Sequence, residues 1–310
     1  MPTPDAPDLD EMIDLDELID LDAARSFMTG HARLLDRRRF AWLLGDGSAD
    51  AVATVLDGYH NPDGGYGWGL EPDQRSTTSQ PVAAMQALEV LADLGRAGGR
   101  RAAELCDWLA ERSLPDGGMP FGLAHDDAGS SAPHWVSADP GISSLQMTTQ
   151  LAAQAHRIAR HDPEIAEHPW LGAATAYCLD TIDAIDRAPN AYELMFCLQF
   201  LDVVADRVRE ARPLLQRLIA FVRSDGPTPV EGGTEDEVLH PLDFSPYADA
   251  RSRASFAPGV VEAEIQRIAS GQQADGGWTV DFATYSPAAA LAWRGYATLQ
   301  AVATLRGRTI

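Results

Sequence analysis

The sequence predicts an all-α protein made of helical hairpins, and two observations support this class. Alanine and leucine dominate the 45% of residues that are hydrophobic, whereas runs of β-branched residues, which favour strands, are few. An Asp-Gly step recurs with separations of about fifty residues and one gap of double length, at Asp63, Asp116, Asp225 and Asp275. A helix, a turn and a second helix fill one such period, so the chain holds about six hairpins in one closed domain.

The hydrophobic periodicity places helices between these turns. We expect an acidic N-terminal tail over residues 1–20 and a single domain over residues 21–310. Within the domain, helices are predicted over 21–44, 48–59, 76–94, 99–113, 141–160, 169–186, 189–208, 211–222, 258–270 and from 286 onwards. The segment 225–256 differs, because Pro241 and Pro246 prevent a long helix there.

The loop after the first turn, residues 67–81, contains two carboxylates, an arginine, a tryptophan and several hydroxyl side chains. Glu71 and Asp73 lie there with Trp68 and Arg75, where the chain enters a helix. A carboxyl group that Trp68 partly shields from water can hold a proton at neutral pH and act as a general acid. The alternative is a capping loop, with Asp73 or Ser76 as the N-cap and Arg75 paired to Glu71.

A second long loop, residues 121–140, follows the next turn. It contains the candidate carboxylate Asp139 and a possible stacking surface formed by His134 and Trp135. His125, Asp127 and His134 are metal-ligand residue types, but their spacing matches no metal signature, so we predict neither a metal nor another cofactor. A solvated loop is the alternative interpretation.

Candidates also occur in the second half of the chain. Glu193 stands inside an otherwise apolar helix, where a carboxylate is either paired or functional. Asp243, Phe244 and Tyr247 would line a cavity that the irregular segment 225–256 opens, unless that segment is only a long connection. Trp293 falls on the last predicted helix.

Four motifs together give the chain a family resemblance. Gln272, Gly276 and Trp278 have the spacing QxxxGxW, and residues 61–73, 241–246 and 286–295 read NPDGGYGWGLEPD, PLDFSP and SPAAALAWRG. Over roughly residues 20–307 the chain resembles the terpenoid cyclase and protein prenyltransferase superfamily of α/α toroids, and in particular a small single-domain bacterial group within it. The resemblance implies a single (α/α)6 toroid, or barrel, of helical hairpins around a central cavity.

The chain also departs from the better-known relatives. The Asp14–Glu17 string lacks the last residue of the DxDD acid motif of class II cyclases and lies in the tail. The DDxxD motif of class I synthases, the zinc ligands of prenyltransferases and the GCGEQ thioester motif are missing as well.

Three functions are therefore considered. The first is a cyclase-like or prenyltransferase-like enzyme that protonates an isoprenoid or another apolar small molecule, with aromatic rings sheltering the cation. The second is a carbohydrate hydrolase or lyase with paired carboxylates, and the third is a non-enzymatic binding protein. The candidate catalytic residues are Glu71, Asp73, Asp139, Glu193 and Asp243, and the candidate substrate-binding residues are Trp68, Arg75, His134, Trp135, Phe244, Tyr247 and Trp293.

Composition limits the partners. The net charge is −22 and all 24 basic residues are arginine, without a basic stripe, which argues against nucleic acid. Cys106, Cys178 and Cys197 fall in predicted helices and are typical of small buried side chains in a reducing compartment. With no long apolar run and an acidic N-terminus, we expect a cytoplasmic protein without an integral membrane segment; the oligomeric state stays open.

Overall fold

The fold is built from helices, as the composition predicts. The computed structural model describes residues 18–125, 128–129, 131–223 and 226–307, so most of the predicted tail, Asp127 and Asp225 lie outside the described residues. The helices of the described part are α1 Leu21–His31, α2 Leu34–Leu43, α3 Ala49–Leu56, α4 Pro81–Leu94, α5 Arg101–Arg112, α6 Pro133–Val136, α7 Leu145–Ile158, α8 Pro163–Ala166, α9 Pro169–Asp183, α10 Ala191–Val204, α11 Ala211–Leu218, α12 Pro241–Phe244, α13 Pro258–Ser270 and α14 Pro287–Leu305. Strands β1 Thr228–Pro229 and β2 Val238–Leu239 form a small antiparallel ribbon with Thr228 opposite Leu239.

The prediction of one helix over residues 21–44 is wrong, because the chain forms two helices there. α1 ends at His31 and α2 begins at Leu34, with Ala32 in an extended conformation between them. Gly30 weakens the helix just before the break. Ala32 also packs closely on α14, where a Cβ on Gly295 would lie 2.9 Å from the Ala32 side chain. The break gives α1 and α2 a hairpin of their own.

The described helices follow one another as pairs: α1–α2, α3–α4, α5–α7, α9–α10, α11–α12 and α13–α14. Successive second helices are neighbours, since α4 packs on α7, α7 on α10 and α10 on α12. α12 is only one turn long, in agreement with the prolines of its segment. α14 packs on both α1 and α2, so the last pair lies against the first.

The Asp-Gly-Gly turns of three helix pairs, α3–α4, α5–α7 and α13–α14, contain the same hydrogen bond. Asp63, Asp116 and Asp275 each accept the backbone N–H of the residue two positions on, over 3.1, 3.0 and 3.2 Å. The first glycine of each turn has a φ of 90°, 88° and 88°, at Gly64, Gly117 and Gly276. Glycine adopts this left-handed conformation without a steric penalty, so the recurrence seen in the sequence is a recurrence of structure.

Each turn packs against the helix that opens the next pair. A Cβ on Gly64 would lie 3.6 Å from the carbonyl of Glu104 in α5, and one on Gly117 would lie 2.8 Å from Ala173 in α9. A Cβ on Gly276 would lie 2.1 Å from the carbonyl of Ala23 in α1. Gln272 adds two bonds to the backbone of Asp20, accepting at 2.9 Å and donating at 2.8 Å. The last turn is thereby fixed to the first helix.

Two apolar clusters form the core. The larger one joins α3, α4, α5, α7, α9, α10 and α11, and the smaller one joins α1, α2, α13 and α14. None of the described helices combines the length and the apolar character that a membrane span requires.

Candidate functional site

The loop between α3 and α4 folds back on itself and carries its acidic residues inside. Trp68 donates its backbone N–H to the carbonyl of Ser76 over 2.8 Å, and it has a φ of 58°, which is uncommon for a residue other than glycine. Gly67 is required by the fold, because a Cβ there would lie 2.6 Å from the carbonyls of Thr77 and Thr78. This compact loop buries Glu71 and Asp73.

Glu71 is a buried carboxyl group held by neutral donors. Its side chain is 3% exposed, and its two oxygens accept from Gln86 Nε2 at 3.2 Å and from the Asp73 backbone N–H at 3.4 Å. Burial raises the pKa of Glu71 to about 8, helped by the charge of Asp73 and opposed by Arg33. Arg33 instead donates to Asp36 at 2.8 Å and to the Leu70 carbonyl at 2.7 Å. At neutral pH Glu71 therefore mostly holds its proton.

Asp73 ties three distant segments together. Its carboxylate accepts from the Tyr285 backbone N–H at 2.9 Å and from Trp293 Nε1 at 2.6 Å. Its backbone carbonyl accepts from the Ala132 N–H at 2.7 Å. The structure thus brings Trp293 and the segment before α6 to the loop that holds Glu71, although the sequence separates them widely.

Two groups of aromatic side chains lie near Asp73. In the first group, Trp293 makes edge-to-face contacts with Phe282 and Tyr296 at centroid distances of 5.0 and 5.6 Å. The second group has the ring contacts His134–Trp135 at 4.8 Å, His134–Tyr285 at 5.6 Å and Phe121–Trp135 at 4.7 Å. Burial lowers the pKa of His134, although the charge of Asp73 opposes the shift. Four predicted site residues besides Glu71 therefore lie together, namely Asp73, His134, Trp135 and Trp293.

Trp68 does not shield Glu71, and Arg75 does not pair with it in the described part of the chain. The Trp68 side chain is 56% exposed, and its Nε1 donates to Asn61 Oδ1 over 2.7 Å. Glu71 therefore owes its burial to the fold of the loop and not to shielding by this indole. Arg75 is exposed and lies along Gly69, at 3.7 Å from a Cβ built there, so the pairing with Glu71 that belongs to the capping-loop alternative is absent from the described contacts.

Asp139 and Glu193 do not join the Glu71 loop. Asp139 is exposed and closes its own turn, accepting from the Gly141 N–H at 2.8 Å. Burial raises the pKa of Glu193, but its charge acts on Tyr177 of α9 and on Cys197 one turn further along α10. Glu193 therefore lies close to Tyr177 and Cys197.

Asp243 and Phe244 have structural surroundings. Asp243 accepts the His240 backbone N–H at 2.6 Å and caps α12, and burial raises the pKa of its carboxyl group. Phe244 is fully buried in the larger apolar cluster, so it does not line an open cavity. Both residues serve the short helix that the PLDFSP motif forms.

Tyr247 belongs to a different place in the fold. Its ring lies 5.3 Å from the guanidinium of Arg157, and it lines a cavity of about 240 Å³ together with Arg160, His161 and Asp249. The other lining residues are Ala248, Gly307 after α14, and residues from the last turns of α4, α7 and α10. The Glu71 loop precedes the first turn of α4. Tyr247 and its cavity therefore lie at the opposite end of α4 from Glu71.

A buried ion network joins four helices, and the sequence reasoning did not identify it. Arg39 of α2 donates to Glu89 and Asp93 of α4, both at 2.7 Å. Arg157 of α7 donates to Asp93 at 2.9 Å, and Tyr296 of α14 donates to Glu89 at 2.9 Å. The sequence did carry a signal, because Gln86, Glu89 and Asp93 recur at helical spacing and so share one face of the otherwise apolar α4.

Comparison with known proteins adds no further assignment. The chain matches no protein-family model, and no curated protein is significantly similar to it. Within the described residues, no group of three or more His, Cys, Asp or Glu side chains is placed to hold a metal ion. The toroid resemblance therefore rests on the motifs quoted above.

Proposed function

We propose that this protein is an enzyme in which Glu71 acts as a general acid on a small molecule. The observation that carries the proposal is the burial of Glu71 to 3% exposure, with a pKa of about 8. An ordinary glutamate, with a pKa of about 4.3, is ionised at pH 7 and has no proton to donate. A pKa near the working pH is the value at which a general acid is most effective.

The proposed architecture is the (α/α)6 toroid that the motifs imply, formed by residues 21–310. Support comes from the turns, each of which packs on the first helix of the next pair. The bonds between Gln272 and Asp20 support closure of the ring. In this arrangement the second helices line a central space, and the polar faces of α4 and α7 point into it.

For the substrate we favour an isoprenoid or another apolar molecule. Trp293, Phe282 and Tyr296 form an aromatic surface next to Asp73, which itself touches Glu71. Transfer of the Glu71 proton to an alkene carbon breaks the π bond and leaves a carbocation, which aromatic faces stabilise. The Glu71 carboxylate formed in this step can then take a proton from a neighbouring carbon.

A carbohydrate substrate is the second candidate, and one observation favours it. Gln86, Gln150 and Gln154 are buried polar side chains on α4 and α7, which suits hydroxyl-rich ligands better than hydrocarbons. Glu71 and Asp73 would supply the two carboxyl groups that glycoside hydrolysis uses, with Glu71 as the protonated one. A non-enzymatic binding protein would need neither a proton on Glu71 nor a raised pKa of that carboxyl group.

The test is product formation by the wild type and by Glu71→Gln, which keeps the shape but has no acidic proton. The panel contains oligoprenyl alcohols, squalene analogues, and neutral and acidic oligosaccharides. We expect an isoprenoid product whose rate falls by at least about 100-fold in Glu71→Gln and is unchanged in Glu104→Gln, an exposed control on α5. Turnover of sugars alone supports the second candidate. Ligand-induced stabilisation without any product contradicts the enzymatic proposal.

A further inference from the structure

Buried polar atoms without partners concentrate beside Asp73. Six buried side-chain atoms in the described part of the chain have no hydrogen-bond partner, and three of them are Gln74 Oε1, Ser131 Oγ and Trp135 Nε1. Folded proteins satisfy the large majority of such atoms. Three unsatisfied atoms on two short, adjoining segments therefore point to a polar group that binds between them.

The backbone holds these two segments together. The Ala132 N–H donates to the Asp73 carbonyl over 2.7 Å, and the Trp135 N–H donates to the Ala132 carbonyl over 3.0 Å. Gln74 and Trp135 are 3% and 9% exposed. Phe121 stacks on the Trp135 indole at 4.7 Å and fixes its plane. Both side chains are therefore ordered parts of the site and not solvated surface groups.

Their hydrogen-bonding roles are opposite. Gln74 Nε2 lies 3.4 Å from His125 Nε2, and burial lowers the pKa of His125, so a neutral ring is present to accept from the amide. The amide oxygen of Gln74 is then the free acceptor. The indole N–H of Trp135 can only donate. One group that both donates and accepts through a single oxygen satisfies the two atoms together.

We infer that Gln74 and Trp135 form a hydroxyl-binding subsite of the Glu71 site. The substrate hydroxyl donates to Gln74 Oε1 and accepts from Trp135 Nε1. This inference rests on the proposed function and makes its substrate an apolar alcohol instead of a hydrocarbon. An ether or carbonyl oxygen would leave Gln74 unpaired, and a hydrocarbon would leave both groups unpaired, at a cost in affinity.

The experiment compares the binding of farnesol and of its methyl ether by calorimetry. The protein is Glu71→Gln, so that turnover does not interfere. Trp135→Phe and Gln74→Met are then added singly. We expect farnesol to bind about tenfold more tightly than the ether, and Gln74→Met to remove most of this preference. Trp135→Phe should instead weaken the binding of both ligands, because the alcohol oxygen and the ether oxygen both accept from the indole N–H. Gln74→Glu retains an acceptor and should keep the preference, which separates hydrogen bonding from misfolding.

Trp170→Phe is the matched control. The Trp170 indole donates to Ser113 Oγ over 3.1 Å between α9 and the end of α5, so its removal should leave the affinities for both ligands unchanged. Equal binding of the two ligands, a preference that survives Gln74→Met, or an unchanged affinity for farnesol in Trp135→Phe overturns the subsite and leaves the role of Glu71 intact. Failure of both ligands to bind either Glu71→Gln or the wild type overturns the isoprenoid substrate class as well.

Discussion

Trp293 donates its indole N–H to Asp73 over 2.6 Å, across 220 residues of sequence. The bond joins the last helix of the chain to the loop that buries Glu71, and both partners were candidate site residues. Asp73 accepts a second bond, from the Tyr285 backbone N–H. The environment of the acid therefore depends on the first and last parts of the chain meeting correctly.

Trp293→Phe should weaken this junction. The substitution preserves an aromatic ring but leaves a buried carboxylate oxygen of Asp73 without its donor, so we expect the free energy of unfolding to fall by about 2 kcal/mol. Urea denaturation measures the change. Trp68→Phe, which removes an exposed bond to Asn61, is the control and should cost much less. Equal effects of the two substitutions would contradict a special role for the Asp73 contact.

The contribution of Glu71 to the free energy of unfolding should fall as the pH rises. Its folded pKa of about 8 lies above the reference value of 4.5, so between these values the folded state binds more protons than the unfolded state. The contribution of Glu71 is fully present below pH 4.5 and falls by up to about 1.4 kcal/mol per pH unit until about pH 8.

Glu71→Gln removes this titration, so the decline in stability between pH 5 and pH 8 should become shallower than in the wild type. At pH 9 the substituted protein should be the more stable of the two. Thermal unfolding across this range measures both curves. Parallel curves for the two proteins would show that Glu71 titrates normally.

Gly276→Ala tests the contact that joins the last turn to the first helix. The alanine Cβ would meet the Ala23 carbonyl at 2.1 Å, in a backbone with a φ of 88°. Gly45→Ala is a matched control, because Gly45 has a φ of 84° and no described atom lies within 4 Å of its Cβ. We expect a loss of about 1 kcal/mol for the control and at least about 3 kcal/mol for Gly276→Ala. Similar losses would mean that α1 does not pack there.

Asp93→Asn should be among the most destabilising single substitutions. Asp93 accepts from both Arg39 and Arg157, and its loss leaves two buried guanidinium groups poorly compensated. Breaking a buried network of this kind costs about 3 to 5 kcal/mol, measurable by chemical denaturation. Asp46→Asn, which breaks the exposed pair with Arg25, should cost less than about 1 kcal/mol. A small effect of Asp93→Asn would contradict the buried network.

Local features of the fold could be predicted from the sequence because they depend on neighbouring residues. The Asp-Gly-Gly turns at 63, 116 and 275 have the positive φ that glycine allows. The helices predicted to begin at residues 48 and 286 do begin there, where Ser48 and Ser286 accept the backbone N–H of Ala51 and Ala289. The concentration of acidic residues in the loop 67–81 also marked the most buried carboxyl group among the candidates.

Features that depend on helix orientation could not be predicted. Glu193 was a candidate because its helix is apolar, but it lies close enough to Tyr177 of α9 for its charge to act on that phenol. Phe244 was placed in a cavity, yet the short α12 buries it in the core. Glu89 and Asp93 were overlooked, since their role depends on arginines of α2 and α7 that only the tertiary structure brings to them.

The most direct test of the proposed mechanism is the titration of Glu71 itself. Side-chain carboxyl carbons of ¹³C-labelled glutamate can be followed by NMR from pH 4 to pH 10, and comparison with Glu71→Gln assigns the Glu71 signal. We expect a midpoint near pH 8, with a protonated carboxyl group at pH 7. A midpoint below about pH 5, as in an exposed glutamate, would show that Glu71 is ionised at neutral pH and would contradict its role as the general acid.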